Sequence, residues 1–216
     1  VDADFWHNKW ENKHIGFHQA EVNDALREHL TTLNLAPGSR VFVPLCGKSL
    51  DMHWLLAQGH GVIGVELSPI AVTELFEELG VTPKIRQCGE LNCYQYEDLT
   101  VYQGDFFALT AADLGPIDAV YDRAALVALP ESLRTQYTDH LMTLTQMAPQ
   151  LLLTFEYDQE LVQGPPFSVR ADEVARHYDA AYHLRELLRE DIPGGMRGLA
   201  AAQDVVWYLQ PLTQEV

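Results

Sequence analysis

The sequence predicts an α/β fold built on a largely parallel sheet, and three observations carry that expectation. Residues 40–66, RVFVPLCGKSLDMHWLLAQGHGVIGVE, run buried strand, glycine-containing turn, helix, buried strand, and end on an acid. That is the order of a βαβ half of a doubly wound fold. Strand-like apolar runs alternate with helical patterns along the rest of the chain, as they do where helices cover both faces of a parallel sheet. Glu66 also follows Gly47 by 19 residues, and folds of this kind place a ribose-binding acid about 20 residues past their glycine turn.

The elements follow in order. Residues 4–30 read as helix in two pieces broken near Gly16, with Val22, Ala25, Leu26, Leu30 and Leu33 spaced to pack on a sheet. Pro37-Gly38 turns the chain into a first strand at 40–43. A helix capped near Ser49 runs to about residue 58, and Gly59 sits where a helix C-terminus needs positive φ. The second strand is 61–65, and Ser68-Pro69 supplies the N-cap and first residue of a helix that stops at Gly80. Short strands are expected at 84–87, 93–96 and 100–102, and a clear buried strand at 117–121. A helix over 131–147, a strand at 151–156, a rigid Pro165-Pro166-Phe167 loop, a helix over 171–178 and a last strand at 205–209 complete the reading. Residues 183–189 and 205–209 are expected to form an antiparallel edge.

Composition narrows the function. With 14 basic and 31 acidic side chains, the net charge of −17 repels nucleic acid and anionic membranes. The cysteines at 46, 88 and 93 have no zinc or disulfide spacing. No apolar run reaches membrane-spanning length. The polar, aromatic N-terminal residues lack the pattern of a secretory leader. The expectation is a cytoplasmic protein that works on a small molecule. Neither a strong apolar edge nor a heptad pattern is evident, so a monomer is expected.

Ligands of open α/β sheets bind outside the carboxyl ends of the strands, which selects the loops at 44–49, 66–68, 104–107 and 122–124. The first of these, Pro44-Leu45-Cys46-Gly47-Lys48-Ser49, holds one glycine. A diphosphate cradle wants several close-approach glycines and a free helix N-terminus, so NAD fits poorly. S-adenosylmethionine, which has an adenosine but no diphosphate, fits better. Leu45 and Gly47 would lie under its amino-acid end, and Glu66 would accept its ribose hydroxyls. Asp105 has two readings: acceptor for the adenine amino group, with Phe106 against the ring, or a turn residue after Gly104. Arg123 leaves its strand aimed into the cleft, or else pairs with Asp122 or Glu156. Lys48 lacks the first glycine of a phosphate-binding loop.

Phe5, Trp6, Trp10 and Phe17 precede the sheet in a polar segment. They suit either a lid over a flat ligand or a core face. His14 and His18 are four apart, but no third ligand is evident, so no metal is expected.

Together these motifs resemble the thiopurine S-methyltransferase family along nearly the whole chain. The resemblance rests on Trp6, Trp10, Phe17 and His18, on PLCGKSLDMHWL at 44–55 and GVELS at 64–68, and on YDRAALVAL at 121–129, EYDQ at 156–159 and GPPFSV at 164–169. It implies a Rossmann-like class I S-adenosylmethionine-dependent methyltransferase, with a mostly parallel central sheet flanked by helices. It also implies one domain over 1–216, with 1–34 as a helical lid. Positions matching Trp10, Leu45, Glu66 and Arg123 contact the cofactor, and that matching Phe17 lies against the aromatic substrate. A late-loop arginine or histidine takes part in some members, and Arg197 is the candidate here.

A sulfonium methyl is already activated, so transfer to a soft sulfur needs chiefly positioning and exclusion of water. Arg123 would favour the thiolate. This explains why the chain shows no catalytic triad. Selenium or tellurium species as natural acceptors, and a non-catalytic S-adenosylmethionine sensor, are the competing readings. Phe17→Ala is expected to raise the Michaelis constant of an aromatic acceptor by about tenfold or more while leaving cofactor affinity nearly intact. Steady-state kinetics beside a cofactor titration check this, and an unchanged acceptor constant would assign Phe17 to the core.

Overall fold

The computed structural model of the protein describes residues 3–16 and 18–212. The chain opens with α1 (Ala3–Glu11) and α2 (Asp24–His29), then β1 (Arg40–Pro44), α3 (Leu50–Ala57), β2 (Gly61–Glu66) and α4 (Pro69–Glu78). A meander of β3 (Lys84–Cys88), β4 (Leu91–Tyr96) and β5 (Leu99–Gln103) leads through α5 (Ala111–Leu114) to β6 (Ala119–Asp122) and α6 (Glu131–Thr145). The chain continues with β7 (Gln150–Tyr157), α7 (Ala171–Tyr178), β8 (Tyr182–Asp191) and β9 (Ala202–Pro211).

Among the described residues the strands form a nine-stranded sheet in the order β3-β4-β5-β2-β1-β6-β7-β9-β8. The five central strands pair in parallel, and both flanks are antiparallel. β1 lies between β2 and β6, so the winding reverses there. The crevice at the carboxyl ends of β1 and β6 is therefore the topological switch point, where this architecture binds ligands.

The central strands are buried on both faces, which is why they read as continuous apolar runs. Successive side chains point to opposite faces. Phe42, Ile63, Val65 and Val120 join one core, with Tyr137 and Leu141 of α6 and Val174 and Tyr178 of α7. Val41, Val43, Val62 and Tyr121 join the other, with Leu26 of α2, Met52 and Leu55 of α3, and Val72 and Leu75 of α4. Ser49 caps α3 by accepting from the Asp51 N–H, and Ser68 caps α4 by accepting from the Ala71 N–H.

The structure departs from the sequence expectation at three places. The N-terminal break is not confined to Gly16. α1 ends at Glu11, Lys13 turns into the left-handed region (φ 56°), and α2 starts only after Asn23 caps it. The strand expected at 117–121 is Ala119–Asp122, because the Asp118 carboxylate accepts from the Arg40 N–H at the start of β1. The helix expected over 131–147 stops at Thr145, where Gln146 and Met147 turn left-handed (φ 52° and 58°).

Gly64, in the middle of β2, is required for a reason of space. A Cβ there would stand 2.6 Å from the Cys46 Sγ and 3.2 Å from the Met52 Cε. Gly64→Ala is expected to destabilise the protein by about 1–3 kcal/mol through overpacking, read from urea unfolding. Cys46→Ala should recover part of that loss, with a double-mutant coupling of roughly 0.5 kcal/mol or more. Strict additivity would mean the strand relaxes elsewhere.

Candidate active site

The turn after β1 supplies the floor of the crevice. Leu45 and Gly47 both adopt left-handed backbone, at φ 48° and 53°. For leucine that conformation is uncommon and strained. The turn is held down by hydrogen bonds to β2: the Cys46 N–H donates to the Val65 carbonyl at 3.0 Å, and the Gly47 N–H donates to Glu66 Oε2 at 2.8 Å. The other carboxylate oxygen of Glu66, Oε1, accepts from the Ser68 N–H at 2.7 Å. One side chain therefore fastens the glycine turn to the start of α4. Glu66 is 7% exposed. Burial pushes its carboxyl above the usual carboxylate range, opposed by the N–H groups of Ser68, Gly47 and Leu67. Each carboxylate oxygen keeps a further lone pair, enough to accept a ribose hydroxyl.

Trp10 of α1 closes this turn from above. It is 2% exposed, and a Cβ on Gly47 would lie 3.2 Å from its Cζ2. Gly47 is thus needed both for its backbone conformation and for the close approach of the indole. The N-terminal segment is fastened by charge as well. Lys13 pairs with Glu74 of α4, while the Lys48 Nζ reaches Glu74 Oε2 at 2.8 Å and Glu78 Oε1 at 2.6 Å. Burial pulls the Lys48 ammonium down, but these two carboxylates outweigh it and leave its pKa raised. Lys48 therefore ties the turn to α4 and presents no free ammonium to a phosphate. His18 lies within electrostatic reach of Lys48 and Arg123, and burial first, then those cations, lower its pKa.

Asp51 is a residue the sequence reading passed over. It is 2% exposed and joins three parts of the site. The Asn23 N–H, at the end of the N-terminal segment, donates to Oδ1 at 2.8 Å, and the Tyr121 hydroxyl of β6 donates to Oδ2 at 2.9 Å. In the sequence it reads only as an acid in the first turn of a helix, and the one available hint was its place inside the PLCGKSLD motif.

Arg123 follows β6 directly and is half-buried. Among the described residues it has no hydrogen bond or ion pair, so the partners Asp122 and Glu156 weighed for it are not taken up. Its charge reaches His18, Tyr121 and Asp204. A guanidinium with its donors unspent, beside the switch point and near the N-terminal segment, is suited to an anionic or thiolate ligand.

The remaining expected residues divide. Asp105 is exposed and accepts from the Phe107 N–H at 2.9 Å, capping the short 3₁₀ turn at Phe106–Ala108. The structure thus supplies its turn role and leaves the other carboxylate oxygen for a ligand. Phe106, expected against an adenine ring, is mostly buried. Its side chain is 6% exposed and packs into the core, 5.0 Å from Tyr137 and edge-on to His140 at 5.1 Å. Arg197 is exposed, at φ 53°, and donates to the Pro165 carbonyl at 2.6 Å and the Gln163 carbonyl at 3.4 Å. It clasps the loop containing the cis Gly164-Pro165 and Pro165-Pro166 bonds. That loop is in turn bound to the segment after Arg123 through the Phe167 N–H and the Val127 carbonyl, at 2.6 Å. Phe17 lies outside the described residues. A separate polar cleft of about 1310 Å³ opens between the end of β7, α7 and the β8–β9 connection. It takes in Glu156–Gln159 and Ser168 of the sequence motifs but none of the candidate cofactor- or substrate-contact residues, so the switch-point crevice remains the site.

The comparisons agree with this geometry. The family model described as Thiopurine S-methyltransferase matches residues 1–210. A thiopurine S-methyltransferase of Xanthobacter autotrophicus is 50% identical over 211 residues, covering 97% of this chain and 99% of its own. That of Teredinibacter turnerae is 53% identical over 209 residues, covering 97% of both. Among solved structures, a SAM-dependent methyltransferase from Anabaena variabilis superposes with a TM-score of 0.62 at 14% identity, covering 98% of this chain and 96% of its own. The Burkholderia thailandensis 1,6-didemethyltoxoflavin-N1-methyltransferase, solved with its substrate and S-adenosylhomocysteine, gives 0.60 at 17%, covering 97% and 87%. These two share the fold.

Glu66→Gln tests the bridge without a ligand. The amide keeps the volume but turns one acceptor into a donor facing a backbone N–H. Unfolding stability is expected to fall by roughly 1–3 kcal/mol. An unchanged urea midpoint would show that the two N–H bonds contribute nothing to the fold.

Proposed function

The chain belongs to the thiopurine S-methyltransferase family, and we propose that it transfers the methyl group of S-adenosylmethionine to the sulfur of aromatic and heterocyclic thiols. The observation that carries this reading is the Glu66 carboxylate, bridging the glycine turn and α4 at the switch point beneath Trp10. The residues present fit the cofactor. A bulkier residue than glycine at 47 would displace the indole, a single-glycine turn suits a ligand lacking a diphosphate, and a buried carboxylate with spare lone pairs suits a ribose.

When bound, S-adenosylmethionine supplies a methyl group already activated by its sulfonium. The chain's own residues do the rest. Glu66 accepts the ribose hydroxyls, and the backbone of Leu45 and Gly47 borders the amino-acid end. Trp10 covers the turn and excludes water, which strengthens every charge interaction inside. Arg123 offers a cation to the acceptor, lowering its thiol pKa and orienting the thiolate. Asp105 uses its free oxygen toward the adenine amino group, Phe17 is assigned acceptor-ring contact by its place in the family motif, and Arg197 acts from the late loop.

We read residues 1–216 as one methyltransferase domain whose segment 1–34 is the lid. The −17 charge supports a small-molecule substrate and no nucleic-acid partner, and no helix among the described residues is long and apolar enough to cross a membrane. The reading has it working as a cytoplasmic monomer.

A methyl-transfer assay with labelled S-adenosylmethionine tests the reading, using 6-mercaptopurine beside selenite and a catechol. Label on the thiopurine and none on the catechol is expected. Transfer to selenite alone would move the acceptor to selenium, and no transfer despite cofactor binding would favour a sensor. Glu66→Ala should weaken cofactor binding by on the order of 1.5–3 kcal/mol for each hydroxyl bond lost. Unchanged affinity in a calorimetric titration would remove Glu66 from the cofactor site.

A further inference from the structure

Among the described residues Arg123 has no hydrogen bond or ion pair, so the turn that carries it governs its position. That turn is unusual. Ala124 is left-handed at φ 66°, Ala125 follows at φ −92°, ψ −65°, and a 3₁₀ turn runs from Leu126 to Ala128. Asp122, the last residue of β6, is fully buried and accepts from the Leu126 N–H at 3.1 Å and from the Ala125 N–H. Its other oxygen accepts from the Tyr137 hydroxyl of α6 at 2.7 Å. A helix packed under the sheet is thereby coupled, through one carboxylate, to the backbone on both sides of Arg123.

Resting on the methyl-transfer reading, we infer that Asp122 is a positioning residue: in its ionised form, braced by Tyr137, it holds the turn that aims Arg123 into the crevice. Protonation would remove one acceptor from this cluster and loosen the turn.

The surroundings make such a change accessible. Burial pushes the Asp122 carboxyl up to about 6, against the opposing pull of the Tyr137 hydroxyl and the Leu126 and Ala125 N–H groups. From α7, the buried Tyr178 hydroxyl, which has no hydrogen-bond partner among the described residues, lies within electrostatic reach of Asp122. Tyr182 of β8 stands behind Tyr178 at 5.9 Å between rings. His140 of α6 meets Asp122 only through Phe106 and Tyr137. On its own strand, Tyr121 turns to the opposite face and bonds Asp51, and Arg123 is the adjacent cation.

The sign separates function from folding. A carboxyl whose folded pKa is raised favours the folded state at low pH, and that contribution is lost as pH rises through about 6. Activity, which needs the ionised form, is lost in the opposite direction. An acid-side fall in activity from this group therefore occurs without unfolding driven by it.

Two measurements test the inference. In protein labelled at Asp carboxyl carbons and Arg side-chain nitrogens, the Arg123 Nε resonance is expected to follow the Asp122 titration with the same midpoint. Tyr137→Phe, which removes a donor favouring the charged form, should move both midpoints upward by about one pH unit. An Arg123 signal that stays flat while Asp122 titrates, or a midpoint that Tyr137→Phe leaves in place, overturns the inference whether or not any acceptor turns over. In kinetics with an electron-poor aromatic thiol that stays thiolate across the range, kcat/KM should show an acid limb that shifts with Tyr137→Phe. Asp122→Asn should lose about 10–100-fold in kcat, with the acid limb abolished. Wild-type protein that turns over no thiol defeats the methyl-transfer reading alone. An Asp122→Asn enzyme with the wild-type profile defeats the positioning role alone.

Discussion

Much of the site depends on one carboxylate and two backbone N–H groups. A left-handed turn after β1 leaves the Gly47 N–H pointing away from any strand, and the start of α4 leaves the Ser68 N–H likewise unpaired. Buried N–H groups without an acceptor are costly, and Glu66, leaving the end of β2 between them, satisfies both. Its own burial raises its pKa, so the bridge holds a charge at some cost to itself. What the bridge secures is a turn flat enough for the Trp10 indole to close over it.

The same device recurs along the carboxyl edge of the sheet. Asp51 joins the N-terminal segment, the start of α3 and β6 through the Asn23 N–H and the Tyr121 hydroxyl. Asp122 joins the Arg123 turn to α6. Three buried acids, Glu66, Asp51 and Asp122, thus brace these loops by hydrogen bonds. Their orientations follow from hydrogen bonding and not from ion pairing with Arg123, whose guanidinium has no partner among the described residues. Two cations near the turn, Lys13 and Lys48, do pair, with Glu74 and Glu78 on the outside of α4, where they fasten the cover to the body of the protein.

A chain of contacts also links the late loop to this site. Arg197 grips the Pro165 carbonyl, Phe167 binds the Val127 carbonyl, and Val127 lies in the turn that follows Arg123. Arg197 is thereby held as a clasp on the proline loop. Its guanidinium is two backbone bonds away from being available to an acceptor.

The order of elements, the glycine turn, Glu66 and the capping serines were legible because each is written in consecutive residues. Apolar alternation, a residue tolerant of positive φ, and a hydroxyl before a helix are local properties. The same holds for the period-two pleat that sends Phe42 to one face and Val43 to the other. The tertiary structure alone decided which polar groups met. Phe106 turned inward against the rings of Tyr137 and His140 of α6, and the β3-β4-β5 meander settled antiparallel on the edge opposite the expected β8–β9 pair. Asp51 found its partners 28 and 70 residues away. Which N–H or hydroxyl a buried carboxylate must satisfy depends on the groups left unpaired once the sheet has assembled, and no local pattern in the chain records that remainder.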